Sequence, residues 1–124
     1  FTPAGGSVVV VTPTLSMLGA AGYVALCASS EAQRVLAKTA ARSWGRHGLT
    51  VNVVALPVPS FADGWSCEGA GVPMADPTLA LSEAALPPGT WTQDATGTIA
   101  FLAGDAGRAV TGATLCVDSG VVMA

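Results

Sequence analysis

The 124-residue chain contains one tyrosine, one histidine and one lysine, and each scarcity excludes a chemistry. A lone His47 beside Cys27, Cys67 and Cys116, with no Cys-x-x-Cys spacing, argues against a zinc-binding cluster. The three cysteines read instead as small buried thiols of a reducing compartment, which predicts a cytoplasmic protein. The carboxylates Glu31, Asp63, Glu68, Asp76, Glu83, Asp94, Asp105 and Asp118 are scattered and have no metal-site spacing. No Gly-x-Ser-x-Gly occurs, so there is no nucleophile elbow for a serine hydrolase. Cys27 and His47 would sit about five turns apart on one helix, too far to pair. Charged residues are 10% of the chain and its net charge is −3, which offers no general attraction to nucleic acid or anionic lipid. No apolar run approaches the ~20 residues of a membrane span. No glycine-rich turn follows a strand. Gly69-Ala70-Gly71 lies in a proline-rich loop and Gly5-Gly6 precedes a strand, so neither makes a phosphate cradle.

What the chain does have is a hydrophobic share of 51%, enough to fold as one small domain. Val8-Val9-Val10-Val11-Thr12 shows no alternation and reads as a strand covered on both faces of a parallel sheet. A helix follows from about Val24 to His47. Leu36, Ala40 and Trp44, with Val35 and Thr39 beside them, form its expected apolar face, and Gly48 is its C′ residue. Arg34, Lys38, Arg42 and Arg46 recur every four residues. This basic stripe reads as a solvated face or, more sharply, as a docking face for a partner. Leu49-Thr50-Val51-Asn52-Val53-Val54-Ala55-Leu56 is a second strand, ended by Pro57 and Pro59.

Residues 57–91 form a proline-rich, lid-like insertion, within which Asp76-Pro77 can start a short helix. Thr92 caps a further helix with Ala95, Ile99 and Leu102 on one face. Thr114-Leu115-Cys116-Val117 is a third strand. The order strand–helix–strand–helix–strand predicts a Rossmann-like α/β parallel sheet with right-handed crossovers. Three strands would leave an apolar one on an open edge, so further sheet is expected from an absent segment, a second chain or self-association. The chain begins with Phe1 rather than Met, which agrees with an upstream part.

Two blocks then resemble a known family. Gly48-Leu49-Thr50-Val51-Asn52-Val53-Val54-Ala55 resembles the GI-x-VN-x-V-x-PG strand of short-chain dehydrogenases/reductases. Phe101-Leu102-Ala103-Gly104-Asp105, followed by Val110-Thr111-Gly112-Ala113-Thr114-Leu115-Cys116-Val117-Asp118-Ser119-Gly120, is similar to that family's ending. The nearest flavour is the 3-oxoacyl-acyl-carrier-protein reductase branch, and residues 1–124 would be the C-terminal portion of such a domain. The resemblance implies an NAD(P)-dependent oxidoreductase and oligomers paired through the helix carrying the active site and through the last strand. It also implies a Ser/Tyr/Lys site in which an ammonium lowers the pKa of a phenol.

Counting back from Gly48 without gaps puts the serine, tyrosine and lysine positions at Pro13, Leu26 and Ser30. A shift of three would recruit Tyr23 but place Cys27 at the lysine position, and a thiol cannot depress a phenol pKa as an ammonium does. Lys38 lies fifteen residues beyond Tyr23, so no Tyr-x-x-x-Lys pair exists and Tyr23 is expected to pack in the loop or at an interface. Where the family has Pro-Gly this chain has Leu56-Pro57, and Phe61 stands where a threonine would meet the nicotinamide. No catalytic, cofactor-binding or metal residue is therefore expected. The reading is a catalytically silent subunit or fragment with a structural, oligomer-completing role beside an NAD(P)-dependent oxidoreductase. The alternatives are part of an active reductase whose cofactor half is supplied elsewhere, and an acyl-ligand-binding module lined by Phe61, Trp65, Met74 and Trp91.

Overall fold

A computed structural model describes residues 5–57, 84–87 and 91–123. Among them three strands, β1 (Gly6–Pro13), β2 (Leu49–Leu56) and β3 (Thr114–Cys116), form one parallel sheet in the order β1-β2-β3. Gly6 pairs with Leu49 and Pro13 with Leu56 along one seam, and Val53 to Ala55 pair with Thr114 to Cys116 along the other. The four-residue helix α1 (Leu15–Leu18) and the long α2 (Val24–Trp44) join β1 to β2. Helix α3 (Trp91–Ala103) precedes β3. The expected Rossmann-like alternation is therefore present.

Side chains alternate across each strand and so feed two cores. Val8 and Val10 of β1 and Val51 and Val53 of β2 pack against Ala37, Ala40 and Ala41 of α2. Val54 and Leu56 pack on the opposite face against Ala95 and Leu102 of α3, with Val9, Ile99, Val110, Leu115 and Val117 around them. The inward face expected for α3 is the one observed. The helix begins at Trp91, one residue before the expected Thr92 cap.

The inward face of α2 differs from the expected one. Val35, Leu36 and Trp44 are exposed (59%, 65% and 38%), Thr39 is exposed, and Ala40 is half-buried. Ser30, Ala37 and Ala41 are the buried residues. Alanines let the helix axis approach the sheet closely, and the larger apolar side chains are turned outward. The helix ends at Trp44 and passes into a 3₁₀ turn, Gly45–His47, which Gly48 closes at φ 73°. An L side chain is strained in that left-handed conformation, which accounts for glycine there.

The valine run packs on both faces, Val8 and Val10 on the α2 side and Val9 on the α3 side, and among the described residues it is an edge strand. Val8 to Val10 are half-buried and Val11 is 38% exposed, whereas every residue of central β2 except Thr50 is buried. The apolar open edge expected of three strands is thus β1. Among the described residues the N–H and C=O groups on its outer side face no strand. The greater part of the 57–91 insertion, including Asp76, Pro77 and Cys67, lies outside the described residues.

Candidate functional site

Parallel strands present their chemistry at their C-terminal ends, and of the three positions named for the family's site Pro13 ends β1 while Leu26 and Ser30 lie in the first two turns of α2. Pro13 is the last residue of β1 and is buried. The Thr14 N–H donates to the Leu56 carbonyl at 2.8 Å, tying the end of β1 to the end of β2. α1 turns immediately afterwards, and the chain enters α2 through Tyr23, the N-cap residue. Tyr23 is 4% exposed and packs inside the chain. Leu26, at the tyrosine position, is half-buried, and Ser30, at the lysine position, is 2% exposed. The one lysine, Lys38, is exposed two turns further along α2. Neither the Leu26 nor the Ser30 side chain titrates in the physiological range, so the pair cannot relay a proton as a phenol and an ammonium do.

One polar atom here has no partner. Thr12 Oγ1 is fully buried and is the one orphaned buried side-chain oxygen or nitrogen among the described residues. Strand alternation puts Thr12 on the α2 side with Val8 and Val10. Ser30 continues the Ala37/Ala41 face toward the strands' C-terminal ends. Two hydroxyl-bearing residues are thus buried on the same side of the sheet, at its chemical end. No sequence pattern marks Thr12 as unpaired, because its surroundings come from distant elements.

The basic stripe is not uniform. The Arg34 side chain is only 18% exposed, and its Nη1 donates to both Glu31 oxygens at 2.8 and 2.7 Å. Its Nε donates to Thr114 Oγ1 at 3.4 Å, linking α2 to β3. Arg34 is therefore a strut and not part of a solvated face. Its hydrogen bonds hold the Glu31 carboxyl below its ordinary value. Partial burial opposes the shift, and the Ser16 hydroxyl and the charges of Arg34 and Lys38 add to it. The i,i+3 spacing of Glu31 and Arg34 was readable in the sequence, but the link to Thr114 was not.

Cys116 at the end of β3 lies 3.7 Å from the Met17 sulfur of α1, and Cys27 Sγ lies 3.9 Å from the Leu15 carbonyl. Both thiols are free and half-buried. Burial, with the charge of Asp118 adding to it, pushes the Cys116 thiol up, and Arg34 opposes that shift. Cys116 is thus a protonated, weakly nucleophilic thiol at neutral pH.

The two sequence blocks that carry the resemblance meet in a hydrogen-bonded seam. Asn52, 0% exposed on β2, donates from Nδ2 to the Val110 carbonyl at 2.8 Å and accepts the Ala113 N–H at 3.1 Å. The Thr111 hydroxyl oxygen accepts the Val51 N–H at 3.0 Å, and the Gly112 N–H donates to the Val51 carbonyl at 2.7 Å. Past β3, buried Asp118 accepts the Gly120 and Val122 N–H groups at 3.0 and 2.9 Å. Asp118 is thereby occupied in closing its turn.

Among the described residues no glycine-rich turn follows a strand. β1 runs into Thr14 and a four-residue helix, not into a glycine-rich turn opening a long helix. The one glycine just past α1, Gly19, approaches no other backbone closely. Among the described residues no cluster of three metal-ligating side chains is present, and no helix is long and apolar enough to cross a membrane.

Comparison with known proteins agrees with the Rossmann-like fold. Residues 1–122 match the family model described as Enoyl-(Acyl carrier protein) reductase. Two curated relatives, each described as an uncharacterized oxidoreductase, come from two strains of Mycobacterium tuberculosis. They are 36% identical over 118 residues, which is 94% of this chain and 44% of theirs. Among solved structures, a blue fluorescent protein from a metagenomic library, in complex with NADPH, superposes with a TM-score of 0.77 at 31% identity. The match covers 98% of this chain and 47% of that one. A 4-hydroxyisoleucine dehydrogenase complexed with NADH and succinate shares the fold, with a TM-score of 0.72 at 21% identity over 94% of this chain and 44% of that one. The chain spans less than half the length of the relatives it matches.

Proposed function

Given that the chain belongs to the short-chain dehydrogenase/reductase family, we propose that it is a catalytically silent member or portion that completes the sheet and assembly of an NAD(P)-dependent oxidoreductase. One observation supports this reading: an ungapped count back from Gly48 puts Leu26 and the buried Ser30 where the family's phenol and ammonium would be, and the chain's only lysine is elsewhere. A proton relay needs a group whose pKa can be matched to the transfer, and these two side chains supply none. The structural role is supported by two apolar surfaces that have no partner among the described residues. The first is the outer edge of β1. The second is the outer stripe of α2, where Val24, Val35 and Leu36 are 79%, 59% and 65% exposed. In the family this helix and the last strand commonly make the subunit contacts, so the second surface is where a like subunit would sit. Free Cys27 and Cys116 suit a reducing compartment such as the cytoplasm.

A second reading is favoured by the open β1 edge: the chain supplies one half of an active reductase and a segment bearing the cofactor cradle pairs with β1. Intact-mass measurement of the native assembly separates the two readings. A co-purifying short-chain dehydrogenase/reductase chain with its own Tyr-x-x-x-Lys pair supports the silent role, and a covalent or separate nucleotide-binding half without that pair supports the split enzyme. NADPH oxidation by this chain, lost on Leu26 or Tyr23 substitution, would sink the silent reading.

A further inference from the structure

The basic stripe on α2 has two cations with no ion pair or hydrogen bond among the described residues. Arg34 is taken by Glu31 and Thr114, and Arg46 Nε donates to His47 Nε2 at 3.0 Å. Lys38 and Arg42, one turn apart, are exposed and form no ion pair among the described residues. Both line a groove of about 410 Å³, with Ala41 on its floor and Thr111 and Gly112 on the far side. The nearest carboxylate on this helix, Glu31, is held by Arg34.

Thr111 adds the third element. Its Oγ1 accepts the Val51 N–H at 3.0 Å, which leaves the hydroxyl proton free to donate to a further acceptor. An ammonium, a guanidinium and a hydroxyl donor thus line one groove, and Ala41 and Gly112 leave room between them. Like charges at i,i+4 repel, and a dianion between them reverses that cost. A phosphate dianion turns three oxygens in three directions and carries twice the charge of a carboxylate, which suits two cations and a hydroxyl around one groove.

We propose that the Lys38/Arg42/Thr111 groove is a binding site for the phosphate group of a small phosphorylated molecule, separate from the Pro13/Leu26/Ser30 region. Lys38 and Arg42 supply the charge, and Thr111 and the seam behind it fix the distance between α2 and the β3 turn.

That Lys38 is the only lysine makes the test direct. Acetylation of its amine by an N-hydroxysuccinimide ester is followed by peptide mass mapping on the full chain in its purified assembly. Inorganic phosphate at 20 mM is compared with sodium chloride and acetate at equal ionic strength and pH. Half-saturation on the order of 10 mM is expected for an open site with two charge-assisted hydrogen bonds. Phosphate should therefore slow acetylation about threefold relative to chloride, with glycerol 2-phosphate acting likewise and acetate having little effect. Arg42→Gln, an exposed substitution that spares the fold, should abolish the protection, and Thr111→Val should weaken it. Equal rates in phosphate and chloride overturn the proposal, as does protection that survives Arg42→Gln. Lys38 unreactive in every buffer also overturns it, because a partner's surface then fills the groove.

Discussion

The seam joining β2 to the β3 turn and the region joining β1 to α2 are built from the same family pattern and have different contents. In the seam, Asn52, Thr111 and Asp118 match the family's blocks, and each makes hydrogen bonds that hold backbone to backbone. At the β1–α2 junction the positions that an ungapped count assigns to the family's site hold Pro13, Leu26 and Ser30, which carry no titrating group. Polar residues that hold the fold and polar residues that do chemistry are separable. A buried side chain whose hydrogen-bond partners are backbone groups cannot be replaced without orphaning them. A catalytic side chain whose partner is a substrate can be lost with the fold intact.

The comparison is tested most sharply by Asn52→Leu. It removes two hydrogen bonds and leaves the Val110 carbonyl and the Ala113 N–H buried without partners, so a loss of about 3 kcal/mol is expected in urea unfolding. A loss under about 1 kcal/mol would mean that the seam is not structural. Ser30→Lys, which rebuilds the family's ammonium at a 2% exposed position, should cost a few kcal/mol by the same measurement, since a buried cation needs a partner. Combined with Leu26→Tyr it should still yield no NAD(P)H turnover in this chain alone, and turnover would show the junction to be a lapsed site needing only two groups.

Thr12→Val should stabilise the chain by about 1 kcal/mol, because it removes an orphaned buried hydroxyl with nearly no change of shape. Destabilisation would instead reveal a partner for that hydroxyl. The smallest effect concerns Glu31. Its carboxyl is held below its ordinary value of 4.5, so its contribution is complete above the unfolded-state pKa and fades as pH falls through the lower folded value. Because Glu31 is 42% exposed, screening keeps this term under about 1 kcal/mol. Comparing wild type and Glu31→Gln, the difference in stability should shrink between about pH 5 and pH 3.

The strands were legible because their signals are local. Val8 to Thr12 and Leu49 to Leu56 are β-branched or apolar runs bounded by glycine and proline, and the structure places strands there. The Val117 N–H still donates to the Ala55 carbonyl, which is why β3 was readable one residue beyond its end at Cys116. α1 left no trace, since four residues carry no periodicity. The inward face of α2 was misread because hydrophobic size pointed to Leu36 and Trp44. The sheet had room only for Ala37 and Ala41, and no residue within the helix reports how close its neighbour lies. Tyr23 is buried at the head of α2, and the count of one lysine, fifteen residues further on, excludes a Tyr-x-x-x-Lys pair in any register. The Thr12 orphan and the Arg34–Thr114 link depend on residues remote in sequence and could not be read.

The sheet order has a consequence for how the chain folds. β2 is the sole bridge between β1 and β3, and its partners are far off: Gly6 pairs with Leu49 and Asn52 reaches Val110, 58 residues on. Parallel pairing across such separations closes long loops before it gains contacts, which makes folding slow. As the chain leaves the ribosome, Val8 to Val11 emerge about forty residues ahead of the strand that will shelter one side of them, and their other side is still open when the described sheet is complete. That stretch is the natural start of misassembly. The yield of well-formed protein should therefore depend on how early something pairs with β1.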